Sequence, residues 1–136
     1  MDGSRRATLV SKDVGWPNGI AVDHTTNRLY WADAQLSTIE YITLDGKIRK
    51  VLLKDEVFHP YSLTVFEDGL YWSDWKTFSL ETCNKFTGHK MNAILRENGK
   101  HIMGVHAYHP VLATRSKWRL DLFTINQICL KFLCTH

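Results

Sequence analysis

The sequence predicts an all-β protein made of repeated four-stranded antiparallel units. One heptapeptide is followed by a near-copy 41 residues later, and neighbouring segments recur at almost the same distance. No segment before residue 113 has a convincing helical period, whereas short β-branched and aromatic runs alternate with turn-forming residues. Four antiparallel strands repeated about every 40 to 50 residues are typical of a β-propeller blade. The chain of 136 residues is therefore predicted to contain two blades of a propeller with flanking strands.

The repeat is carried by several segments in a fixed order. The heptapeptides are LYWADAQ at 29–35 and LYWSDWK at 70–76. The segments that recur around them are WPNGIAV at 16–22, HPYSLTV at 59–65 and HIMGVHA at 101–107, and DGSRRATLV at 2–10 with DGKIRKVLL at 45–53. A fixed order at a period of about 42 residues indicates a repeated structural unit and not a chance motif.

Four strands are predicted in each unit. They are expected at 20–22 and 63–65, through the two Tyr-Trp motifs, at 38–44 and 79–84, and at 51–53 and 93–95. Turn signals such as Asp45-Gly46 and Asn98-Gly99 separate them. The chain is also expected to open in the last strand of a preceding unit, within 2–10, and to begin a third unit with a strand at 105–108.

Two blades do not close a propeller, which takes about four to eight of them. An arc this short leaves apolar blade faces and strand edges uncovered. The repeat region, residues 1–112, is therefore expected to be a piece of a larger ring or to self-associate through its open blade edges. Residues 113–136 form a divergent tail, which is expected either to form a short amphipathic helix over 120–133 or to lack fixed structure.

Composition and charge exclude several classes of function. The 17 basic and 14 acidic residues are scattered and form no basic stripe of the kind that binds a nucleic acid backbone. No apolar run reaches the ~18 to 20 residues of a membrane span, and residues 1–6 lead into no apolar core of the kind expected in a signal peptide. Cys83, Cys129 and Cys134 match neither a zinc pattern nor a dense disulfide framework, and their disulfide state stays open. Cys83 is predicted to be a buried thiol on a third strand.

The Tyr-Trp-x-Asp motif resembles the YWTD repeat, or class B repeat, of the low-density lipoprotein receptor family. One residue separates Trp from Asp here, whereas WD-repeat propellers place Asp directly after Trp. PNGIAVD before the motif and IEYITLDG after it fit the class B pattern, and the wording is most similar to that of the giant, megalin-like receptor-related proteins. The resemblance covers residues 1 to about 112.

This resemblance implies a partial YWTD propeller from the extracellular or endosomal-lumen part of an endocytic receptor. Such a module binds protein ligands or neighbouring receptor modules and catalyses no reaction, so no cofactor is expected. In the family a cysteine-rich epidermal-growth-factor-like module follows the propeller, whereas the tail 113–136 follows it here. The chain is therefore expected to be a truncated or alternatively spliced product, which either keeps a binding role or has no independent function.

The two motif aspartates, Asp33 and Asp74, are expected to have structural roles. A buried carboxylate at a recurring position requires hydrogen-bond donors that satisfy it. The resemblance implies that these carboxylates tie blades together while the aromatic residues of the motif pack; those residues are Tyr30, Trp31, Tyr71 and Trp72. Trp75 does not recur in the first copy, and it either packs between blades or contacts a protein partner.

The strongest indication of an enzyme is Pro-Asn-Gly at 17–19. Metal-dependent lactonase propellers carry the same tripeptide before a strand, with the Asn as a metal ligand. A cation of that kind needs further oxygen ligands from other blades, but the equivalent positions, 61–64 and 103–106, contain no carboxylate. A turn-forming role for Asn18 is therefore favoured, and a fragment of a lactonase-like enzyme stays the alternative.

Histidine is the remaining candidate for chemistry. His101, His106 and His109 suggest a metal site, but strand alternation points His106 away from the other two, so none is expected. His59 and His101 occupy the same position in successive units. They are expected to pack between blades or, because histidine changes charge between about pH 7 and 5, to sense pH.

Overall fold

A computed structural model of the chain describes residues 6–90, 92–108 and 127–131. These residues form strands and connecting turns. The strands are β1 (Pro17–Asp23), β2 (Arg28–Asp33), β3 (Thr38–Thr43), β4 (Arg49–Lys54), β5 (Pro60–Phe66), β6 (Gly69–Asp74), β7 (Ser79–Asn84), β8 (Leu95–Arg96), β9 (Gly104–Tyr108) and β10 (Gln127–Lys131).

Two four-stranded antiparallel sheets form the centre of the molecule. Their strand orders are β1-β2-β3-β4, called blade 1 here, and β5-β6-β7-β8, called blade 2. The two blades share their register, since Trp31 lies opposite Glu40 and Trp72 lies opposite Glu81. The prediction of an all-β partial propeller with four-stranded antiparallel blades is confirmed.

The observed strands follow the predicted ones closely except at the outer edge of blade 2. The fourth strand of blade 1 extends over six residues, whereas β8 contains only Leu95–Arg96 and not the predicted 93–95. An outermost strand has a hydrogen-bonded neighbour on one side only. Its length therefore depends on fewer contacts than that of an inner strand, and sequence pattern predicts it less well.

The expected strand at the start of the chain is wrong for the residues that the structure describes. Residues 6–10 form no strand, and residues 1–5 lie outside the described part. A fourth strand of a blade is stabilised by pairing with a third strand. Among the described residues, no third strand is left unpaired beside residues 6–10 for them to join.

The third unit begins with β9, close to the strand predicted at 105–108. Its partner is β10, which runs parallel to it and pairs Gln127 with Gly104 and Lys131 with Tyr108. Residues 127–131 are therefore a strand, where the sequence analysis predicted a short helix or no fixed structure. Free N–H and C=O groups along a strand edge can be satisfied by another extended segment. The rest of the tail 113–136 lies outside the described residues.

The main hydrophobic core lies between blades 1 and 2. Its buried members are Tyr30, Ala32, Ile39, Tyr41 and Leu53 from blade 1, Val57 from the connection, and Leu63, Leu70, Trp72 and Cys83 from blade 2. Successive residues of a strand point to opposite faces, so Tyr30 faces blade 2 while Trp31 faces away from it. Each large apolar side chain buried in this way contributes roughly 1.5 to 3 kcal/mol, so apolar burial holds the blades together.

Equivalent positions are exposed in blade 1 and buried in blade 2. Ile20 is 66% exposed, whereas Leu63 at the same position of the repeat is 6% exposed. Val14 and Val57 show the same contrast. The contrast arises because blade 1 covers this face of blade 2, while among the described residues no further sheet covers the corresponding face of blade 1. Self-association through this face stays a prediction.

Cys83 lies on the third strand of blade 2 and is fully buried. Burial raises the pKa of its thiol to about 12, and the carboxylate of Glu56 adds to the shift. The predicted buried thiol is confirmed. Cys129 lies in β10, and Cys134 is outside the described residues.

Candidate functional site

One end of the two blades carries a cluster of aromatic side chains. The first strand of each unit begins at this end, and the second strand of each blade finishes here, as the pairing of Pro17 with Asp33 and of Pro60 with Asp74 shows. We call this the aromatic end, and its members are Trp16, Phe58, His59, Tyr61, Trp75, Phe78 and His101. It is the candidate binding surface of the molecule.

Trp75 lies at the centre of the aromatic end. Its ring stacks on the ring of Tyr61, with centroids 4.2 Å apart and planes 18° from parallel, and lies 5.9 Å from the ring of His59. His101, which precedes β9, lies 4.8 Å from Trp75 and 4.9 Å from Phe78. The structure thus brings His59, Trp75 and His101, which the sequence singled out separately, into one stack.

Hydrogen bonds fix Trp75 between blade 2 and the third unit. Its indole Nε1–H donates to the carbonyl oxygen of Ile102 at 3.2 Å. Its main-chain N–H donates to the carbonyl oxygen of His59 at 2.9 Å, just as the N–H of Ala34, the equivalent residue, donates to Trp16 at 3.0 Å. The stack and these bonds favour a packing role for Trp75 and make it a rigid support for its neighbours.

Trp16 and Phe58 present large exposed apolar surfaces at the aromatic end. Trp16 is 57% exposed and Phe58 is 49% exposed. The sequence analysis did not single out either residue, because neither lies in the Tyr-Trp motif. The available signal is the repeat itself, since Trp16 stands where later units carry His59 and His101. Exposed aromatic residues grouped at one end of a domain are typical of protein-contact surfaces.

The carboxylate of Asp33 is fully buried and accepts four main-chain hydrogen bonds. The N–H of Gly15 donates at 2.7 Å, and the N–H groups of Trp16, Gln35 and Leu36 donate at 3.0 Å each. Burial alone would raise the pKa of Asp33, but these donors outweigh burial and hold the pKa below its ordinary value. The carboxylate thus joins the approach to β1 to the turn after β2.

Asp74 repeats this arrangement in blade 2. Its carboxylate accepts hydrogen bonds from the N–H groups of Phe58 at 2.9 Å, His59 at 3.1 Å and Lys76 at 2.9 Å. Both motif aspartates therefore stabilise the aromatic end of their own unit. The resemblance implies that they tie blades together, but these hydrogen bonds do not run from one sheet to the other. A direct bond between the sheets comes instead from the motif tyrosine, Tyr30, whose hydroxyl donates to the carbonyl oxygen of Lys85 at 3.2 Å.

The motif aromatic residues pack on both sides of the blades. Tyr30 and Trp72 are fully buried between blades 1 and 2. Tyr71 packs against the cluster that joins blade 2 to the third unit. Trp31 faces away from blade 2 and is covered by the guanidinium of Arg49, which lies 5.1 Å from the ring centroid. These positions agree with the packing role that the resemblance implies.

A second repeated carboxylate, Glu40 in blade 1, was not predicted. It accepts a hydrogen bond from Arg49 Nε at 2.9 Å and is buried on the strand opposite Trp31. The same guanidinium donates to the carbonyl oxygens of Lys12 at 2.7 Å and Asp13 at 2.8 Å. Arg49 therefore links the third strand of the blade to the segment that approaches its first strand.

Blade 2 contains the counterpart of this link. Lys90 Nζ lies 3.4 Å from the carboxylate of Glu81 and donates to the carbonyl oxygen of Glu56 at 3.1 Å. The offset of 41 residues that relates the two heptapeptides also relates Glu40 to Glu81 and Arg49 to Lys90. Extending the repeat comparison beyond the aromatic motif would therefore have found this link from sequence.

The side chains considered as metal ligands form no cluster among the residues that the structure describes. The amide of Asn18 donates from Nδ2 to the carbonyl oxygen of Pro60 at 3.1 Å. His106 lies on β9, and His109 is outside the described residues. Across residues 6–90, 92–108 and 127–131, no group of three or more His, Cys, Asp or Glu side chains is placed to hold a metal ion. In the same ranges no helix has the length and apolarity needed to cross a membrane.

The sequence matches a family model and a curated receptor. Residues 1–24 and 27–67 match the model of the low-density lipoprotein receptor repeat class B. The chain is 43% identical over 130 residues to the vitellogenin receptor Yl of Drosophila melanogaster, an alignment that covers 96% of this chain and 6% of the receptor. The chain therefore spans a small part of the length of the curated relative that it matches.

Two solved structures place the fold among propellers. A chain of a nidogen–laminin complex superposes with a TM-score of 0.70 at 28% identity, over 76% of this chain and 39% of that one. A gluconolactonase from Xanthomonas campestris superposes with a TM-score of 0.56 at 20% identity, over 70% of this chain and 31% of that one. The gluconolactonase likeness, at this identity, shows a shared fold alone.

Proposed function

The chain belongs to the low-density lipoprotein receptor class B repeat family, and on that premise we propose that it is a non-catalytic protein-binding module of an endocytic receptor. The observation that carries this proposal is the aromatic end. Trp16 and Phe58 are exposed at the same end of the blades as a stack that hydrogen bonds and neighbouring rings hold in place. Such aromatic surfaces supply much of the affinity of protein–protein contacts.

The ligand class that we propose is a large secreted protein. The name of the Drosophila relative specifies a receptor for vitellogenin, and the nidogen chain was solved in a complex with laminin. Both names support a protein ligand for the larger protein to which this module corresponds. The corresponding location of this chain is the extracellular or endosomal-lumen side of a membrane receptor, where it meets protein ligands or neighbouring receptor modules.

The motif aspartates have a structural role in this proposal. The carboxylates of Asp33 and Asp74 accept hydrogen bonds from four and three main-chain N–H groups respectively. They keep the approach segments and turns of the aromatic end in a fixed arrangement. Trp75 acts as the support beneath the contact surface, while Trp16 and Phe58 meet the ligand.

An enzymatic function is not proposed. The amide of Asn18, the residue that resembles a lactonase ligand, is engaged with Pro60 on the neighbouring blade. The likeness to the gluconolactonase is one of fold. No nucleophile paired with a general base stands out among the described side chains at the aromatic end.

Surface plasmon resonance with immobilised vitellogenin and laminin tests the proposal. We expect Trp16→Ala and Phe58→Ala each to weaken binding by about tenfold or more, as truncation of a central aromatic contact does. Ile48→Ala is the matched control, because Ile48 is 50% exposed and directly precedes β4 at the opposite end of blade 1. Absence of binding to both probes would contradict the ligand class, and an equal loss in the Ile48 variant would contradict the site.

A further inference from the structure

Blades 1 and 2 are joined by a buried ion pair at the end opposite the aromatic end. Lys85 Nζ, from the segment after β7, lies 2.8 Å from Oδ2 of Asp23 at the end of β1. Both side chains are 5% exposed. A buried charge requires a partner, so neither residue tolerates loss of the other without cost.

The main chain and hydroxyl groups around this pair hold it in place. Asp23 accepts hydrogen bonds from Thr25 Oγ1 at 2.6 Å and Thr26 Oγ1 at 2.7 Å. The main chain of Lys85 is also held by two hydrogen bonds. Its N–H donates to the carbonyl oxygen of Asp68, and its carbonyl oxygen accepts a hydrogen bond from the hydroxyl of Tyr30. Burial alone would raise the pKa of Asp23, but the ammonium and the threonine donors outweigh burial and keep the pKa well below its ordinary value.

A second cation crosses the same interface. The guanidinium of Arg28, on β2, lies 4.4 Å from the ring centroid of Tyr41 in its own blade and 5.7 Å from that of Phe86 in blade 2. Its Nη1 donates to the hydroxyl of Tyr30 at 3.4 Å. One ion pair and one cation–π contact therefore join the two blades at this end. These four side chains, Asp23, Arg28, Lys85 and Phe86, are called the inter-blade clasp below.

The clasp does not recur with the repeat. Asp23 pairs with Arg28 in the first hairpin of blade 1, and the equivalent pair in blade 2 is Phe66 with Gly69. Blade 2 therefore has neither the carboxylate nor the guanidinium at these two positions. The offset of 41 residues puts Leu44 at the position of Lys85. By contrast, the motif aromatic residues, the motif aspartates and the links at Glu40 and Glu81 recur in both blades.

Repeated features cannot distinguish one blade from another. Chains built from similar repeats are prone to misassembly and to exchange of equivalent elements, because each blade face resembles the next. Specificity between such alternatives requires a contact that the wrong pairing leaves unsatisfied. A wrong neighbour would bury Asp23 without an ammonium, or Lys85 without a carboxylate.

We propose that the inter-blade clasp specifies the pairing of blade 1 with blade 2 and excludes alternative packings of the similar blade faces. In this role the clasp disfavours incorrect pairings of the blade faces, while the apolar core between the blades supplies most of the free energy that holds them together. A buried ion pair suits this role because a well-packed apolar replacement often matches its stability. The proposal is independent of which ligand the aromatic end binds.

The test replaces the ion pair in the full chain by apolar and by neutral polar pairs. The double variants are Asp23→Leu with Lys85→Met, and Asp23→Asn with Lys85→Gln, which keeps hydrogen-bonding groups beside the threonines. We expect at least one of these doubles to stay folded but to show a second set of amide resonances for blade 2, or by light scattering a higher oligomeric state than the wild type at the same concentration. The single variants Asp23→Leu and Lys85→Met should be less stable than that double.

The control is the matched replacement of a repeated pair, Glu40→Leu with Arg49→Met, which leaves the clasp intact and should give one set of resonances and the oligomeric state of the wild type. The proposal is overturned if both clasp doubles give a single set of resonances, the oligomeric state of the wild type and the native contact between Tyr30 and Lys85. It is also overturned if both doubles fail to fold, because the pair would then supply stability and not selectivity.

Discussion

The side-chain amide of Asn18 donates a hydrogen bond to the carbonyl oxygen of Pro60 at 3.1 Å and so connects the first strands of blades 1 and 2. The Pro-Asn-Gly tripeptide was the strongest sequence indication of a metal-dependent enzyme. In the folded chain its amide nitrogen is part of the contact between neighbouring blades. The tripeptide therefore has a physical role that needs no cation.

We expect Asn18→Ala to lower the free energy of unfolding by about 1 kcal/mol, the typical contribution of one hydrogen bond. Urea denaturation followed by circular dichroism measures this change. Millimolar calcium should shift the melting temperature of wild type and variant equally. A calcium-induced rise in the wild type that Asn18→Ala abolishes would support the enzymatic alternative.

We expect Asp33→Asn to lower the free energy of unfolding by about 2 to 3 kcal/mol. The amide removes the charge that four main-chain N–H groups bind and places an NH₂ group against donors. Asp74→Asn should cost a similar amount, because Asp74 has the same kind of partners. The control is Asp68→Asn, since Asp68 is exposed in the turn before β6. Equal stability of all three variants would contradict a structural role.

The pH dependence of stability follows from the lowered pKa values of Asp23 and Asp33. In the unfolded chain an aspartate has a pKa of about 3.9, so the unfolded state binds more protons as the pH falls through that range. The stability from these two groups is present above about pH 5 and is lost as the pH falls towards their folded pKa values. Urea titrations at pH 7, 5 and 3 measure it. Asp33→Asn should lose less between pH 5 and 3 than wild type, and an unchanged loss would contradict the assignment.

The repeat predicted the blades because the residues that define each strand recur at a fixed spacing along the sequence. Strand position, register and the placement of the motif aromatic residues all depend on a spacing that two copies reveal in one sequence. The same spacing contains the link from Glu40 to Arg49 and its counterpart from Glu81 to Lys90. That link was predictable in principle, since it needs only a comparison of the copies beyond the Tyr-Trp motif.

The clasp and the ends of the chain were not predictable in this way. Asp23 and Lys85 are 62 positions apart, and neither has a residue of like charge at the equivalent position of the other copy. A comparison of the two copies therefore gives no reason to pair them. Their pairing depends on how two sheets pack against each other. The strand expected at residues 2–10 depended on a pairing partner, and the local pattern of a strand carries no information about its partner.

Gly88 is expected to be essential where blade 2 approaches blade 1. Its φ is +71°, and a Cβ at this position would overlap the carbonyl oxygen of Leu52. Gly99 is the matched control, because its φ is +69° and no atom lies within 4 Å of a Cβ built there. Gly99→Ala should cost about 1 kcal/mol from the backbone alone, whereas Gly88→Ala should cost about 2 to 4 kcal/mol. Equal costs in denaturant titrations would contradict the close approach.

The stack of His59, Trp75 and His101 is expected to depend on the indole at its centre. Both imidazoles contact this ring, and its Nε1–H donates to the carbonyl oxygen of Ile102 at 3.2 Å. We therefore expect Trp75→Ala to lower the free energy of unfolding by about 2 kcal/mol or more, because it removes packed aromatic contacts and leaves the Ile102 carbonyl without this donor. Urea denaturation followed by circular dichroism measures the change. The control is Phe58→Ala, which removes a side chain that is 49% exposed and should cost less. Equal costs in the two variants would contradict a packing role for Trp75.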